Sequence, residues 1–156
     1  MRSSSRKIAT QAQTAVALLK NKLCRGVLVA DPDSWDTHDI NYLQNDRFQN
    51  FFTVLNTMIT ALIDEDLLDE TLVVVASEMT RTPSHNWKGG KDHWAHTSMM
   101  LLGGGITGGR KIGATDANLE SYPVDLATGV PDTKATPSPT SELMKYDNLA
   151  AGILEL

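Results

Sequence analysis

The sequence predicts an α/β fold with a mainly parallel sheet flanked by helices. An amphipathic helix is predicted from about residue 46 to residue 67, where large apolar side chains recur every three or four positions. It leads into residues 71–76, whose apolar run is typical of a central strand covered on both faces. A helix that feeds such a strand is half of a βαβ unit, and βαβ units pair their strands in parallel.

Shorter patterns predict the remaining elements. Each rests on apolar spacing, on β-branched content or on glycine and proline as turn residues. The predictions are a helix over 7–22, strands over 26–30 and 97–102, a glycine turn over 103–109, a strand that would return over 110–114, an irregular surface segment over 115–139 and a last helix from Pro139.

Length and composition favour one globular domain over residues 1–156. The 156 residues are 41% hydrophobic and 21% charged, which is ordinary globular usage. The formal net charge of -5 disfavours non-specific nucleic-acid binding, which requires basic side chains to neutralise phosphates. No apolar run approaches the ~20 residues that span a bilayer. Residues 8–14 are too polar for a secretory signal, and the lone Cys24 cannot form an internal disulfide.

The first group of chemically capable side chains is Asp36 and His38. They lie two positions apart, so on extended chain both side chains point the same way. A carboxylate oxygen and an imidazole nitrogen on one side can bind a divalent metal. The alternative is a polar loop in which Asp36 caps a turn and His38 faces water.

Glu78 and Arg81 form the second group, directly after the valine-rich strand. Ligands of open α/β sheets bind at the carboxyl ends of the strands, where the sheet holds a side chain rigidly. Glu78 therefore suits a metal ligand or general base, and the planar Arg81 guanidinium suits an anionic group. The alternative is a surface ion pair between the two, which would contribute little.

The third group lies in the polar stretch that follows. Asp92 and His93 are adjacent, so one could bind a metal while the other orients it. His96 comes three positions later, within reach if the stretch is helical. The alternative is a solvent loop anchored by Trp94, and His85 is interpreted as loop surface.

Six motifs in order resemble the bacterial family called domain of unknown function 1501, which belongs with the alkaline phosphatase and sulfatase-like superfamily. They extend from about residue 34 to residue 116, and the resemblance covers the chain from about residue 10 onwards. The motifs are Ser34-Trp35-Asp36-Thr37-His38, residues 67–75, Glu78-Met79-Thr80-Arg81-Thr82-Pro83, Gly89-Gly90-Lys91-Asp92-His93-Trp94, the glycine turn 103–109 and residues 112–116.

The resemblance implies part of an alkaline-phosphatase-like three-layer sandwich, with this chain as the C-terminal part of a larger domain. It implies one or two divalent metals held by Asp36, His38, Glu78 and His93, with zinc first and magnesium, manganese or calcium as alternatives. Arg81 and Asp92 would be the catalytic residues. It also suggests a bacterial periplasmic or exported location.

The implied function is metal-dependent hydrolysis of small phosphate or sulfate esters. The alternative is a non-catalytic binding or assembly module that keeps a remnant metal site. Met79 favours the alternative, because the superfamily usually has His there and Met is a poor ligand for hard metals. An exposed sheet edge would be covered by a second copy or by a partner chain.

Overall fold

Three helices and two short sheets form the regular structure of residues 3–78, 80–135 and 143–155, the part of the protein that the computed structural model describes. The elements are α1 (Ser3–Lys20), α2 (Leu43–Asp64), a 3-10 turn (Leu68–Glu70), β1 (Leu72–Val75), β2 (Thr80–Arg81), β3 (His93–Trp94), β4 (Met100–Gly103) and α3 (Tyr146–Leu154). The helices predicted over 7–22 and 46–67 are confirmed as α1 and α2. The predicted start of the last helix at Pro139 lies outside the described residues.

The buried core lies between α1 and α2. Ile8 and Ala12, one helical turn apart on α1, pack against Val54 of α2. Leu62 is the most buried large side chain, at 1% exposure, and such burial stabilises the fold by about 2 kcal/mol. The core also includes Ala15, Val16 and Leu55. The loop between α1 and α2 therefore extends from a packed pair of helices.

The strand predicted over residues 26–30 is wrong, because this segment pairs with no strand in the described structure. A side chain of α1 takes the place of a neighbouring strand. The Gln11 Nε2 atom donates to the carbonyl of Ala30 at 2.9 Å, and the Ala30 N–H donates to Gln11 Oε1 at 3.0 Å. Leu28 is consequently 89% exposed rather than buried in a sheet.

The predicted mainly parallel sheet, and with it the three-layer sandwich, is also wrong. The strands described here form two antiparallel pairs, β1 with β4 and β2 with β3. Val74 in the middle of β1 is 40% exposed, so the strand is not covered on both faces.

The reason for the antiparallel pairing lies in the connection from β1 to β4. Parallel strands require a crossover, usually a helix, whereas this connection consists of loops and the small β2–β3 sheet. The strand that should precede α2 in a βαβ unit is replaced by the segment bound to Gln11. An apolar run predicts a strand without specifying its partner, so β1 itself was predictable and its pairing was not.

Residues 104–135, which follow β4, have little regular structure. The predicted glycine turn begins at Gly103, the last residue of β4, where φ is +101° and a Cβ would lie 2.1 Å from the Thr71 carbonyl oxygen. The strand predicted over 110–114 does not form. Isolated bridges join Thr115 to Ser121 and Val124 to Pro131. None of the helices in the described ranges is both long and apolar enough to cross a membrane.

Replacing Gln11 by Ala is expected to lower the free energy of unfolding by about 1–2 kcal/mol, because two hydrogen bonds to Ala30 are lost. Chemical denaturation measures the change. Gln13→Ala is the control, since Gln13 is an exposed residue of the same helix. Equal stability of the two variants would show that the Gln11 contact does not hold the 26–30 segment.

Candidate metal centre

Asp36, His38 and His93 place one potential ligand atom each within 4.8 Å of one another. His38 Nδ1 contacts Asp36 Oδ1 directly, and His93 Nε2 lies 4.0 Å from the same oxygen. All three side chains are exposed. Within the described part of the chain, this is the single group of three or more such ligands. The fold thus brings together residues from a loop and from a strand that are far apart in sequence.

Thr37 sets the direction of Asp36 and His38. These residues lie in the loop between α1 and α2. Thr37 is only 2% exposed, and its Oγ1 accepts a hydrogen bond of 2.8 Å from Gln44 Nε2 of α2. With the middle residue turned inwards, its two neighbours project to the surface on the same side, as the spacing of two predicts.

Arg81 joins this loop to the sheet that carries His93. Its Nη2 donates to Asp36 Oδ1 and to the carbonyl of Trp35, each at 2.9 Å. Its Nη1 donates to the carbonyl of Lys91 at 3.2 Å. The side chain is only 10% exposed, so these acceptors replace the water that a guanidinium would otherwise bind. The ion pair of Arg81 is with Asp36 rather than with Glu78, the partner considered as the alternative from the sequence.

The same contact controls the charge of the cluster. The Arg81 hydrogen bond holds the pKa of Asp36 below its ordinary value, lost hydration opposes this effect, and the contact with His38 adds to the lowering. Asp36 is ionised at neutral pH even at its ordinary pKa of 3.8, and the lowered pKa keeps it in this form, which is the one that binds a metal ion, further into the acid range.

Gly90 allows the loop between β2 and β3 to pack directly on the cluster. A Cβ at this position would lie 2.0 Å from the carbonyl oxygen of His38, so no side chain fits there. Lys88, in the same loop between β2 and β3, forms an ion pair of 2.9 Å through its Nζ with Asp39, which follows His38. Asn86 Nδ2 donates to the His38 carbonyl at 2.7 Å. In the sequence, Gly89-Gly90 is a turn signal three positions after Asn86, but no local pattern indicates that Asn86 contacts His38.

The other predicted site residues lie around or outside the cluster. Asp92 is next to His93, and its Oδ1 accepts a hydrogen bond from Asn86 rather than joining the three ligands. Glu78 is exposed in the bend after β1 and lies outside the cluster. Its predicted place depended on parallel strand ends meeting at one edge, and that sheet does not form. His96 lies instead 3.4 Å from Glu120 Oε2.

An open cavity of about 220 Å³ adjoins the cluster. Asp36, His38 and Asp39 supply its polar side, and Ile40 and Leu43 supply its apolar side. A small group held near the ligand atoms would therefore meet both polar and apolar surface.

The described residues thus form a helix pair with two small antiparallel sheets, and this fold carries one exposed Asp-His-His cluster whose donor atoms could hold a metal ion. The chain belongs to the family described as protein of unknown function (DUF1501), whose model matches residues 4–140. The predicted family membership is thereby confirmed. No curated protein and no solved structure matched the chain.

Replacing Gly90 by Ala is expected to separate the two halves of the cluster and to lower the free energy of unfolding by about 1–3 kcal/mol, since the new methyl group overlaps the His38 backbone. Gly108→Ala is the control, because open space surrounds that glycine. Thermal unfolding of both variants measures the effect. An unchanged melting temperature for Gly90→Ala would contradict the close packing described here.

Replacing Arg81 by Gln is expected to raise the pKa of Asp36 towards 3.8, the ordinary value. Because the lowered pKa belongs to the folded state, the ion pair stabilises the fold above the unfolded pKa. That stabilisation is lost as the pH falls through the lowered pKa. The variant should therefore show a weaker loss of stability in this acid range. Carboxyl ¹³C NMR measures the titration, with the exposed Arg110→Gln as control. An unchanged titration of Asp36 would remove Arg81 as the cause.

Proposed function

We propose that this protein binds a divalent cation, zinc in the first place, and uses it to hydrolyse small phosphate or sulfate esters. The observation that carries the proposal is the meeting of Asp36, His38 and His93 within 4.8 Å. One carboxylate and two imidazoles are the donor types that zinc prefers, and three protein ligands with an open position are typical of catalytic zinc sites. The exposure of all three side chains supports access for a substrate.

The residues around the ligands support roles in this chemistry. A bound cation supplies Lewis acidity, which polarises a phosphoryl or sulfuryl oxygen. Arg81, whose guanidinium lies against Asp36, would add positive charge where an anionic ester binds. Asp92, exposed beside His93, would carry a proton while Asn86 orients its carboxyl group.

The cavity next to the cluster favours small substrates. Its volume of about 220 Å³ lies below the roughly 300–1,000 Å³ of pockets that enclose drug-sized ligands. Ile40 and Leu43 offer apolar contact to the part of the ester that leaves. The proposed substrate class is thus a small monoester with a compact leaving group. The phosphatase or sulfatase ancestry suggested by the sequence motifs agrees with this class.

A second candidate function is a non-catalytic metal-binding module. The arrangement of Arg81 favours it, because two of the three acceptors of its guanidinium are backbone carbonyls of Trp35 and Lys91. An arginine bound in this way stabilises the loops around the cluster whether or not a substrate is present. In this alternative the cation would hold the 36–38 loop to β3 without turnover.

Elemental analysis and titration with Zn²⁺ test the metal site. The wild-type protein is expected to bind zinc, while Asp36→Asn and His93→Ala should each weaken binding by at least tenfold, because each removes one of three ligands. His85→Ala is the matched control, since His85 is an exposed histidine outside the cluster. Equal zinc binding by all four proteins would refute the proposed site.

The ester chemistry is tested separately on the zinc-loaded protein. Hydrolysis of 4-nitrophenyl phosphate or 4-nitrophenyl sulfate by the wild-type protein and by His85→Ala, with loss in His93→Ala, would support the hydrolase. Zinc binding without hydrolysis of either ester would overturn the proposed ester hydrolysis and favour the binding module.

A further inference from the structure

We infer that Asn86 is the positioning residue of the Asp36–His38–His93 cluster: its side-chain amide fixes the loop that carries two of the ligands against the strand that carries the third. Asn86 touches none of the three ligand atoms. It acts through the backbone carbonyl of His38, at 2.7 Å, and through the carboxylate of Asp92, at 2.8 Å. Because Asp92 immediately precedes His93, one contact holds the loop of Asp36 and His38, and the other holds the strand of His93.

The amide of Asn86 is used to its full capacity. Its Nδ2 makes the two cross-links just described, and its Oδ1 accepts the backbone N–H groups of Lys88 at 3.0 Å and Gly90 at 3.1 Å. A primary amide has two N–H donors and two acceptor lone pairs, so all four positions are filled. The reverse orientation would aim the oxygen at two acceptors and the nitrogen at two donors. The partners therefore fix how the amide points.

The loop around Asn86 is closed by its own backbone as well. The Asn86 N–H donates to the Gly90 carbonyl at 2.9 Å, and the Gly89 N–H donates to the Asn86 carbonyl at 3.1 Å. This closed turn holds Gly90 against the His38 backbone, where no larger residue fits. Arg81 donates to Trp35 and Asp36 of the same loop. Arg81 and Asn86 therefore hold consecutive parts of the loop that carries Asp36 and His38.

This geometry singles out one substitution. Asn86→Asp keeps the shape and the oxygen that accepts from Lys88 and Gly90, so the turn is preserved. It replaces the two donors with an oxygen that faces the His38 carbonyl and the Asp92 carboxylate. The added negative charge would by itself attract a cation more strongly, so weaker binding cannot arise from charge alone. Asn118→Asp adds the same charge at an exposed loop residue and is the matched control.

Two measurements on the full chain test the inference. The first rests on the proposed function: Zn²⁺ affinity, measured by competition with a chromophoric chelator, should fall about 10–100-fold in Asn86→Asp and stay within twofold in Asn118→Asp. The Co²⁺-substituted protein should show an altered visible spectrum in Asn86→Asp alone, because its ligand geometry changes. Zinc affinity within twofold of wild type in Asn86→Asp would overturn the inference.

The second measurement needs no metal. Amide hydrogen exchange of the metal-free protein should become faster in Asn86→Asp both in residues 84–93 and in residues 36–40. Faster exchange in the first segment alone, or in neither, would overturn the inference. If the wild-type protein binds no zinc, the proposed function fails, and the exchange result alone then decides whether Asn86 joins the two segments.

Discussion

The arrangement of the candidate site depends on the hydrogen bonds of one nearly buried cation, Arg81. A guanidinium that is 10% exposed has lost most of its water and must find acceptors in the protein. These acceptors lie in two segments. One is the loop at Trp35 and Asp36, and the other is the chain at Lys91, just before β3. These bonds bring His93 to the loop that carries Asp36 and His38, and the bond to Asp36 lowers the pKa of its carboxyl group. The β2–β3 sheet has only two residues per strand and could not hold these segments together alone, since such short strand pairs are only marginally stable.

The helix pair gives this assembly a fixed base. Trp35 directly precedes Asp36, and its ring packs edge-on against Phe48 of α2 at 4.8 Å while its Nε1 donates to Asp31 Oδ2 at 3.1 Å. Thr37 directly follows Asp36 and is tied to Gln44. The ligand loop is thus anchored on both sides of Asp36 by α2, while the ligand side chains stay at the surface. An anchored backbone with exposed side chains is what the proposed metal site would require.

Opposing charges meet within a few ångströms at the cluster. Asp36 Oδ1 contacts both Arg81 and His38, so a cation that binds this carboxylate shares it with a guanidinium. An anionic ester of the proposed class would meet the charge of Arg81 and that of the proposed cation at the same place.

The sequence by itself determined the two long helices and the types of side chain that form the candidate site. Apolar spacing is a local property, and it predicted α1 and α2 because their cores are built from residues three and four positions apart. The pair Asp36 and His38 also follows from local spacing. Tertiary structure decided the rest. Which distant segments meet decides the direction of the strands and the position of Glu78 outside the cluster. It also decides the contacts that Asn86 and Gly90 make with His38. A single stretch of chain does not specify its partner.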